Sequence, residues 1–432
     1  MVFNNAFAQE ETASYLGVAS CASSTCHGSV VEYADSTVLR NEFSTWNDVD
    51  PHSKAYATLL QPQSKLIASN LGLESAHTAK ECLGCHTHNV PADLRGPDFL
   101  ISDGVGCEAC HGAAQNYIES HVHGTHAQNL EAGLYKTEDP LVRAEICLSC
   151  HIGNDSDRKI THAIMGAGHP RLNFELNTFS DIQPAHYRID DDYKQRKGEQ
   201  SDLQVWALGQ VTAADLLLNN LTAFPHDGLF PELIHVDCLS CHDPMSDIDW
   251  QPSPFAGLTP GSMRYNDAHL LMSYQLATVV EPSIAKSLFA KMKTFLSGGA
   301  SNQIPTAAIG ELRDTLQALI LHLKENPITP DQESLLGHQL VKSGAKLSHY
   351  SYAAAEQSAM AINSALRSLS QRQLSKRIYQ DLLNDVDAMF STLDKSEAYQ
   401  AGSFIAGLRK IQARLNAFTE GDFASPSSEA SR

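Results

Sequence analysis

Ten cysteines lie in five close pairs, and a histidine follows the second cysteine of every pair. Four pairs have two residues between the cysteines, and the first pair has four. The pairs are Cys21 and Cys26, Cys82 and Cys85, Cys107 and Cys110, Cys147 and Cys150, and Cys238 and Cys241. The histidines that follow them are His27, His86, His111, His151 and His242. Histidine occupies only 20 of 432 positions, so this regularity demands a chemical reason.

The pattern is typical of covalent haem attachment. Two thiols close in sequence add to the two vinyl groups of one haem, and the adjacent histidine binds the iron as proximal ligand. The sequence therefore predicts five c-type haems, with a wider attachment loop at the first pair. A zinc ribbon or a disulfide framework also uses paired cysteines, but neither explains the histidines. A thioredoxin-like redox pair needs a βαβ setting that the sequence does not show.

Fifteen other histidines remain for at most five distal positions, so most of them must have other roles. Local context favours five as distal ligands: His52, His121, His162, His169 and His186. Weaker candidates near the haem motifs are His77, His88, His123, His126, His226 and His235. A structural role is favoured for the downstream histidines His322, His338 and His349. Methionine is an alternative ligand, and the nearest are Met165, Met245 and Met263.

Several stretches around the motifs carry a family resemblance. They include Y-L-G-V-A-S-C…C-H-G…W…P-H-S-K-A, D-G-V-G-C-E-A-C-H-G-A-A-Q-N-Y-I-E-S-H, G-A-G-H-P-R-L-N-F-E-L, P-A-H-Y and F-P-E-L-I-H-V-D-C-L-S-C-H. Together they resemble multihaem cytochromes of the cytochrome c-554 type across residues 15–275. The resemblance implies a periplasmic or extracytoplasmic electron-transfer protein with closely packed, mostly bis-histidine haems.

Carried over by position, the resemblance supports four of the distal candidates and gives weaker support to His162. The four are His52, His121, His169 and His186. Two features depart from the family pattern: the wide first loop, and Asp243 after His242 where a second histidine is expected. The ligation of the fifth haem therefore stays open. The family also contains or borders on enzymes that act on small nitrogen compounds, so the resemblance does not decide between carrier and catalyst.

The elements that position the haems are predicted to be mainly α-helical. Residues 9–275 are expected to form a pentahaem cytochrome domain with little regular structure, because about 44 residues per haem leave the porphyrins to supply much of the apolar interior. Within it, residues 201–221 predict a helix. The short spacing from Cys85 to Cys107 predicts that the second and third haems are neighbours.

The remaining C-terminal sequence has a different composition, without cysteine and with apolar residues spaced by three or four. Residues 276–420 are expected to form a helical bundle, and residues 421–432 a disordered tail. The bundle has two open roles, capping the haem domain or making docking and homo-oligomer contacts. Helical segments are predicted near residues 281–297, 306–325, 331–345, 346–369, 371–393 and 395–418.

Composition limits the partners and the compartment. The formal charge of −19 argues against nucleic acid and favours redox partner proteins with basic surfaces. No stretch is apolar enough to span a bilayer, and no common nucleotide-binding or hydrolase motif occurs. Residues 1–8 end in A-x-A and are expected to be the remnant of an export signal, which predicts a periplasmic or extracellular protein. An ordinary frayed N-terminus is the alternative.

Three functions follow as hypotheses. The first is a pentahaem electron carrier. The second is an oxidoreductase in which one haem has an open iron position for nitrite, hydroxylamine or nitric oxide, with a proton donor nearby. The third is a subunit of a haem filament or larger complex. Fold-level analogy favours the carrier over the enzyme, and no catalytic residue is assigned.

Overall fold

A computed structural model describes residues 13–34, 36–223, 232–242, 264–298, 305–344, 351–370 and 376–419. The expected signal remnant and C-terminal tail lie outside these residues. The chain divides into two compact units, Met1–Gln200 and Ser201–Arg432. The mainly α fold class is confirmed: in the described residues helices dominate, and β pairing is limited to two isolated bridges. None of the described helices combines the length and apolar character that crossing a membrane requires.

Ten mostly short helices and intervening turns make up the first unit. They are α1 (Glu42–Val49), α2 (Ala55–Thr58), α3 (Pro62–Asn70), α4 (Lys80–His86), α5 (Cys107–His111), α6 (His126–Glu131), α7 (Pro140–His151), α8 (His162–Gly166), α9 (Leu176–Ile182) and α10 (Asp191–Lys197). Between them, backbone groups bond mainly across turns and loops. Short elements of this kind leave room for large groups between them.

Three attachment motifs form the last turn of a helix. Helices α4, α5 and α7 end at His86, His111 and His151. In an α-helix, residues three apart lie on one face, so this conformation presents Cys82 and Cys85 on the same side. The first motif, with its two extra residues, forms turns at residues 24–27 instead. The two spacings therefore give two different local structures.

Helix α7 shows how the local sequence builds such an element. The Asp139 side chain accepts a hydrogen bond of 3.0 Å from the backbone N–H of Leu141, and Pro140 occupies the first turn, where its missing N–H costs nothing. The helix then buries Leu141, Ala144 and Leu148. This buried face fixes the rotation of α7 and so the direction in which its two cysteines point.

The buried carboxylate of Glu108 connects the first and third motifs. Its Oε1 accepts hydrogen bonds from the backbone N–H groups of Leu16 (2.9 Å) and Ala114 (2.8 Å), and its Oε2 accepts one from Gly17 (2.8 Å). Gly17 has φ of 90°, and a Cβ there would lie 2.3 Å from the carbonyl oxygen of Asp98, so only glycine fits. Glu108 thus fixes the segment that leads into the first motif to the start of the third.

The second unit is a helical bundle. Its helices are α11 (Asp202–Ala223), α12 (Leu239–His242), α13 (Ala268–Val280), α14 (Pro282–Gly298), α15 (Thr306–Glu325), α16 (Pro330–Ser343), α17 (Tyr352–Ser370), α18 (Lys376–Phe390) and α19 (Ala401–Thr419). The helix predicted over residues 201–221 is α11. Helices α11 and α13 are buried on almost every side, and they pack against each other and against other long helices. A helix that is apolar all round belongs at the centre of a bundle.

The boundary between the two compact units lies after Gln200, whereas the composition of the sequence changes near residue 276. Helix α11 packs against α15 and α17, and α13 packs against α14, α16 and α17. Buried contacts such as the hydrogen bond from the Gln204 side chain to the carbonyl oxygen of Leu323 (3.0 Å) join these early helices to the later ones. The fifth motif, on α12, therefore lies in the second unit, whereas the other four lie in the first.

The Glu108 contact yields a stability prediction. Glu108→Gln replaces one carboxylate oxygen by an NH₂ group, which leaves at least one backbone N–H facing another donor. We expect the free energy of unfolding of the holo-protein to fall by about 1–3 kcal/mol, as measured by guanidinium titration followed by circular dichroism. The exposed Glu119→Gln is the matched control. Equal stability of the two variants would show that the Glu108 contacts contribute nothing.

Candidate functional site

Four of the motif histidines each face a second histidine from elsewhere in the first unit. The distances between ring centroids all lie between 6.1 and 6.3 Å. The pairs are His27 with His121 (6.1 Å), His86 with His169 (6.3 Å), His111 with His186 (6.2 Å) and His151 with His52 (6.2 Å). Four of the five distal candidates therefore lie opposite a proximal candidate.

This separation suits two imidazoles on opposite sides of one iron. An imidazole nitrogen binds a first-row metal at about 2.0–2.1 Å and the ring centre lies about 1.1 Å behind it, so two axial rings have centroids about 6.2–6.4 Å apart. Direct stacking would bring the rings much closer: His151 and Phe174 stack at 4.4 Å. The residues present therefore fit a haem iron held between two histidines.

The four pairs differ in the angle between their ring planes. The planes of His27 and His121 lie 21° apart, which is close to parallel. The other three pairs have interplanar angles of 82° to 86°, close to perpendicular. Because axial imidazole orientation affects the electronic structure of a ferric haem, this difference separates the first pair from the others.

Hydrogen bonds at Nδ1 orient five of these eight rings. The acceptors are Glu42 Oε2 for His27 (2.9 Å), Asp50 Oδ1 for His52 (2.8 Å), and the carbonyl oxygens of Ala55 for His86 (3.1 Å), Ile118 for His121 (2.7 Å) and Pro170 for His169 (2.7 Å). An acceptor at Nδ1 places the proton there and leaves the lone pair on Nε2. The rings are thus held in the tautomer that binds metal through Nε2.

Burial keeps other rings in the pairs neutral. It lowers the pKa of His111 to about 4 and that of His151 to about 4, since a buried imidazolium loses its hydration. Hydrogen bonds to carboxylates act in the opposite direction on two rings: Glu42 raises the pKa of His27, and Asp50 raises that of His52. The pairs thus occupy two electrostatic environments, one of which contains a buried or half-buried carboxylate.

Asp50 fixes His52 in two ways. Its Oδ1 accepts from the backbone N–H of His52 (2.9 Å) as well as from the ring, so the same carboxylate caps the turn and orients the imidazole. Its Oδ2 accepts from the side-chain amide of Gln183 (3.0 Å). Burial alone would raise the pKa of Asp50, but these hydrogen bonds outweigh it and hold the value at about 2. Asp50 is therefore ionised, and sequence reasoning did not identify its role.

Cysteines of different motifs come into contact. Cys21 and Cys107 lie close enough for each thiol to affect the pKa of the other, which brings the first motif beside the third. The Sγ of Cys85 lies 4.0 Å from the carbonyl oxygen of Cys150, which joins the second motif to the fourth. Cys110 of the third motif lies close enough to the fourth motif's cysteines for their charges to affect its pKa. These approaches join the first motif with the third, the third with the fourth and the fourth with the second.

The remaining predicted site residues lie outside these pairs. His162 begins α8 and is exposed, and the four pairs are complete without it. Cys238, Cys241 and His242 lie on or beside α12 and are exposed. Asp243, the departure from the family pattern, lies outside the described residues. In the part of the chain that the structure describes, no three histidine, cysteine, aspartate or glutamate side chains converge as a separate metal-binding cluster.

His269, which the sequence analysis did not single out, lies on a helix whose leading segment pairs with the segment before the fifth motif. His269 lies on α13, is buried, and forms a hydrogen bond of 2.7 Å between its Nδ1 and Oε1 of Gln210. Together with His235 it lines a small, mainly apolar cavity of about 20 Å³. The sequence signal was weak, because His269 stands alone in an apolar helix without a nearby haem motif.

Comparison with known proteins adds independent information. Residues 20–112 match the family described as cytochrome c554 and c-prime. The matched segment contains the first three attachment motifs and His52. No curated protein and no solved structure matches the chain.

Proposed function

We propose that the whole chain is a pentahaem electron carrier, similar to the cytochrome c554 and c-prime family that residues 20–112 match. The observation that carries the proposal is the set of four histidine pairs with centroids 6.1–6.3 Å apart. Each pair has one member directly after a cysteine pair, so attachment and axial ligation coincide at four sites. The fifth motif supplies the fifth haem.

The proposed ligand sets follow from the pairs. Haem 1 takes His27 and His121, haem 2 takes His86 and His169, haem 3 takes His111 and His186, and haem 4 takes His151 and His52; haem 5 takes His242 as proximal ligand. When bound, each haem supplies an iron that alternates between the ferric and ferrous states. The protein's residues hold the macrocycles, fix the tautomer of each ligand and determine how far each iron lies from solvent.

Contacts between the cysteines support an order for the first four haems. A thioether ties one porphyrin edge to its cysteine, so contact between the cysteines of two motifs brings two porphyrin edges together. The contacts Cys21–Cys107 and Cys85–Cys150, with Cys110 near the fourth motif, support the order haem 1, haem 3, haem 4, haem 2. Electrons would pass between nearest edges along this order, without a substrate at any step.

Charge and sequence support a location and a class of partner. With 50 acidic residues against 31 basic ones, the chain favours transient docking to a basic redox protein. The family resemblance and the A-x-A at residues 6–8 support a periplasmic or extracellular location. Both belong to the proposal.

The alternative, an oxidoreductase for a small nitrogen compound, requires an open iron position. In the four pairs a second histidine occupies the face opposite each proximal ligand, which argues against an open position there. The carrier is therefore the function that the geometry supports best.

The first test counts haems and open coordination positions. We expect the intact mass of the mature protein to include five haems, and carbon monoxide to leave the visible spectrum of the fully reduced protein unchanged, because an electron carrier needs no open iron position and four of the irons would lie between two histidines. A spectral shift equivalent to one haem in five would reveal an open position and favour the enzyme. An intact mass with four haems would contradict the pentahaem assignment.

The ring-plane angles predict distinct electron paramagnetic resonance signals. Ferric haems with near-perpendicular axial imidazoles give a highly anisotropic signal with a large maximum g value, whereas parallel planes give a rhombic low-spin signal. We expect His121→Ala to remove rhombic intensity equivalent to one haem, because it opens the only near-parallel pair among the four. The matched variant His169→Ala is expected to remove large-g intensity instead. Loss of the same signal in both variants would contradict the assigned pairs.

The carboxylates of Glu42 and Asp50, which accept hydrogen bonds from His27 and His52, are expected to lower the reduction potentials of two haems. A carboxylate at Nδ1 makes the imidazole a stronger donor and stabilises the ferric state. Glu42→Gln and Asp50→Asn are expected to raise the potentials of haem 1 and haem 4 by several tens of millivolts, since about 1.4 kcal/mol corresponds to about 59 mV for one electron. The control is Asp48→Asn, an exposed neighbour of Asp50. Unchanged potentials in spectroelectrochemical titrations of both variants would exclude this tuning.

A further inference from the structure

The apolar cavity in the second unit has a defined position relative to the fifth motif. Its wall includes Leu217, Leu221 and Phe295, together with His235 and His269. Its composition is that of a cofactor site: predominantly apolar, with few polar groups.

Backbone pairing brings the fifth motif and this cavity together. The backbone N–H of Asp237, next to Cys238, donates to the carbonyl oxygen of Arg264 (2.8 Å), and the N–H of Asn266 donates to the carbonyl oxygen of His235 (2.8 Å). A buried ion pair, Arg264 Nη2 to Asp267 Oδ1 at 2.9 Å, fixes the start of α13 beside this pairing. The segment that leads into Cys238 therefore lies alongside the segment that leads into α13.

A chain of side-chain hydrogen bonds orients His269. The Nε2 of Gln210 donates to Oε1 of Gln357 (2.8 Å), which leaves Oε1 of Gln210 to accept from Nδ1 of His269 (2.7 Å). All three side chains are buried. The proton of His269 is thus held on Nδ1 and the lone pair on Nε2, the same arrangement that the Nδ1 acceptors impose on five paired histidines in the first unit.

We propose that His269 is the distal axial ligand of the fifth haem and that Gln210 is the positioning residue of that ligand. The proposal rests on the proposed pentahaem function and deepens it. His235, which lines the same cavity, is the competing histidine.

The test uses the full-length holo-protein and removes one side chain at a time. In His269→Ala we expect five haems by intact mass and carbon monoxide binding equivalent to one haem after reduction, where the unaltered protein binds none. His235→Ala and the control His338→Ala, a partly buried histidine of α16, are expected to bind none. Carbon monoxide binding in His235→Ala but not in His269→Ala would overturn the assignment.

A second pair of variants keeps the test independent of folding. His269→Met retains a ligand of similar bulk, so we expect the potential of one haem to rise without carbon monoxide binding, because methionine ligation raises haem potentials. Gln210→Leu removes the acceptor at Nδ1 and is expected to raise the potential of the same haem, whereas loss of a merely structural contact would leave all five potentials unchanged. Unchanged potentials in both variants would contradict the ligand assignment.

The outcomes separate this inference from the proposed function. Five haems with no effect of any His269 variant would overturn the inference and leave the pentahaem carrier intact. A Cys238→Ala/Cys241→Ala double variant is expected to lose one haem by mass. If it loses none, no haem is attached at the fifth motif, and both the pentahaem count and the His269 assignment fail.

Discussion

The first unit depends on pairs of imidazoles that face each other across an iron-sized gap. Four such pairs have nearly the same centroid separation although their members come from different helices and turns. A gap of this size between two partly buried polar rings has no stabilising contact of its own, and a metal that accepts both lone pairs gives it a physical reason. The short helices follow from the same constraint, since the protein encloses large groups with few residues.

Hydrogen bonds at Nδ1 fix the orientation and the tautomer of five of the paired histidines. Three rings donate to main-chain carbonyl oxygens, which set orientation and tautomer with little change in charge. His27 and His52 donate to carboxylates, which add charge to the same geometry. The charge beside the ring therefore differs among the four pairs, which is the physical basis of the different potentials that we propose.

The second unit holds its buried histidine, His269, with a different kind of structure. It has a conventional helical core around α11 and α13, and a cavity at its edge adjoins the segment that carries the fifth motif. Its buried histidine is held by side-chain amides from two other helices instead of by a nearby turn. Long packed helices can hold such an amide chain in place because every member is fixed by the core around it.

The candidate attachment motifs could be recognised in the sequence because their pattern is local. Two thiols and a histidine within five or seven residues identify a haem site in almost any surrounding fold, and the apolar spacing of the C-terminal segments likewise identifies helices from near neighbours alone. The distal histidines could be narrowed to a few candidates, but their partners could not. His52 faces His151 and His121 faces His27 because of the paths of several turns, which no local pattern records.

Tertiary structure alone decided three further features. The contacts of Cys21 with Cys107 and of Cys85 with Cys150 join motifs that are not consecutive, because chain order does not fix order in space. The fifth motif falls in the helical unit because α11 and α13 bury their surfaces against later helices. His269 acquires its orientation from Gln210, a residue on another helix. The sequence alone identified the candidate attachment motifs, and the packing of distant segments decided which histidine faces each of four motif histidines.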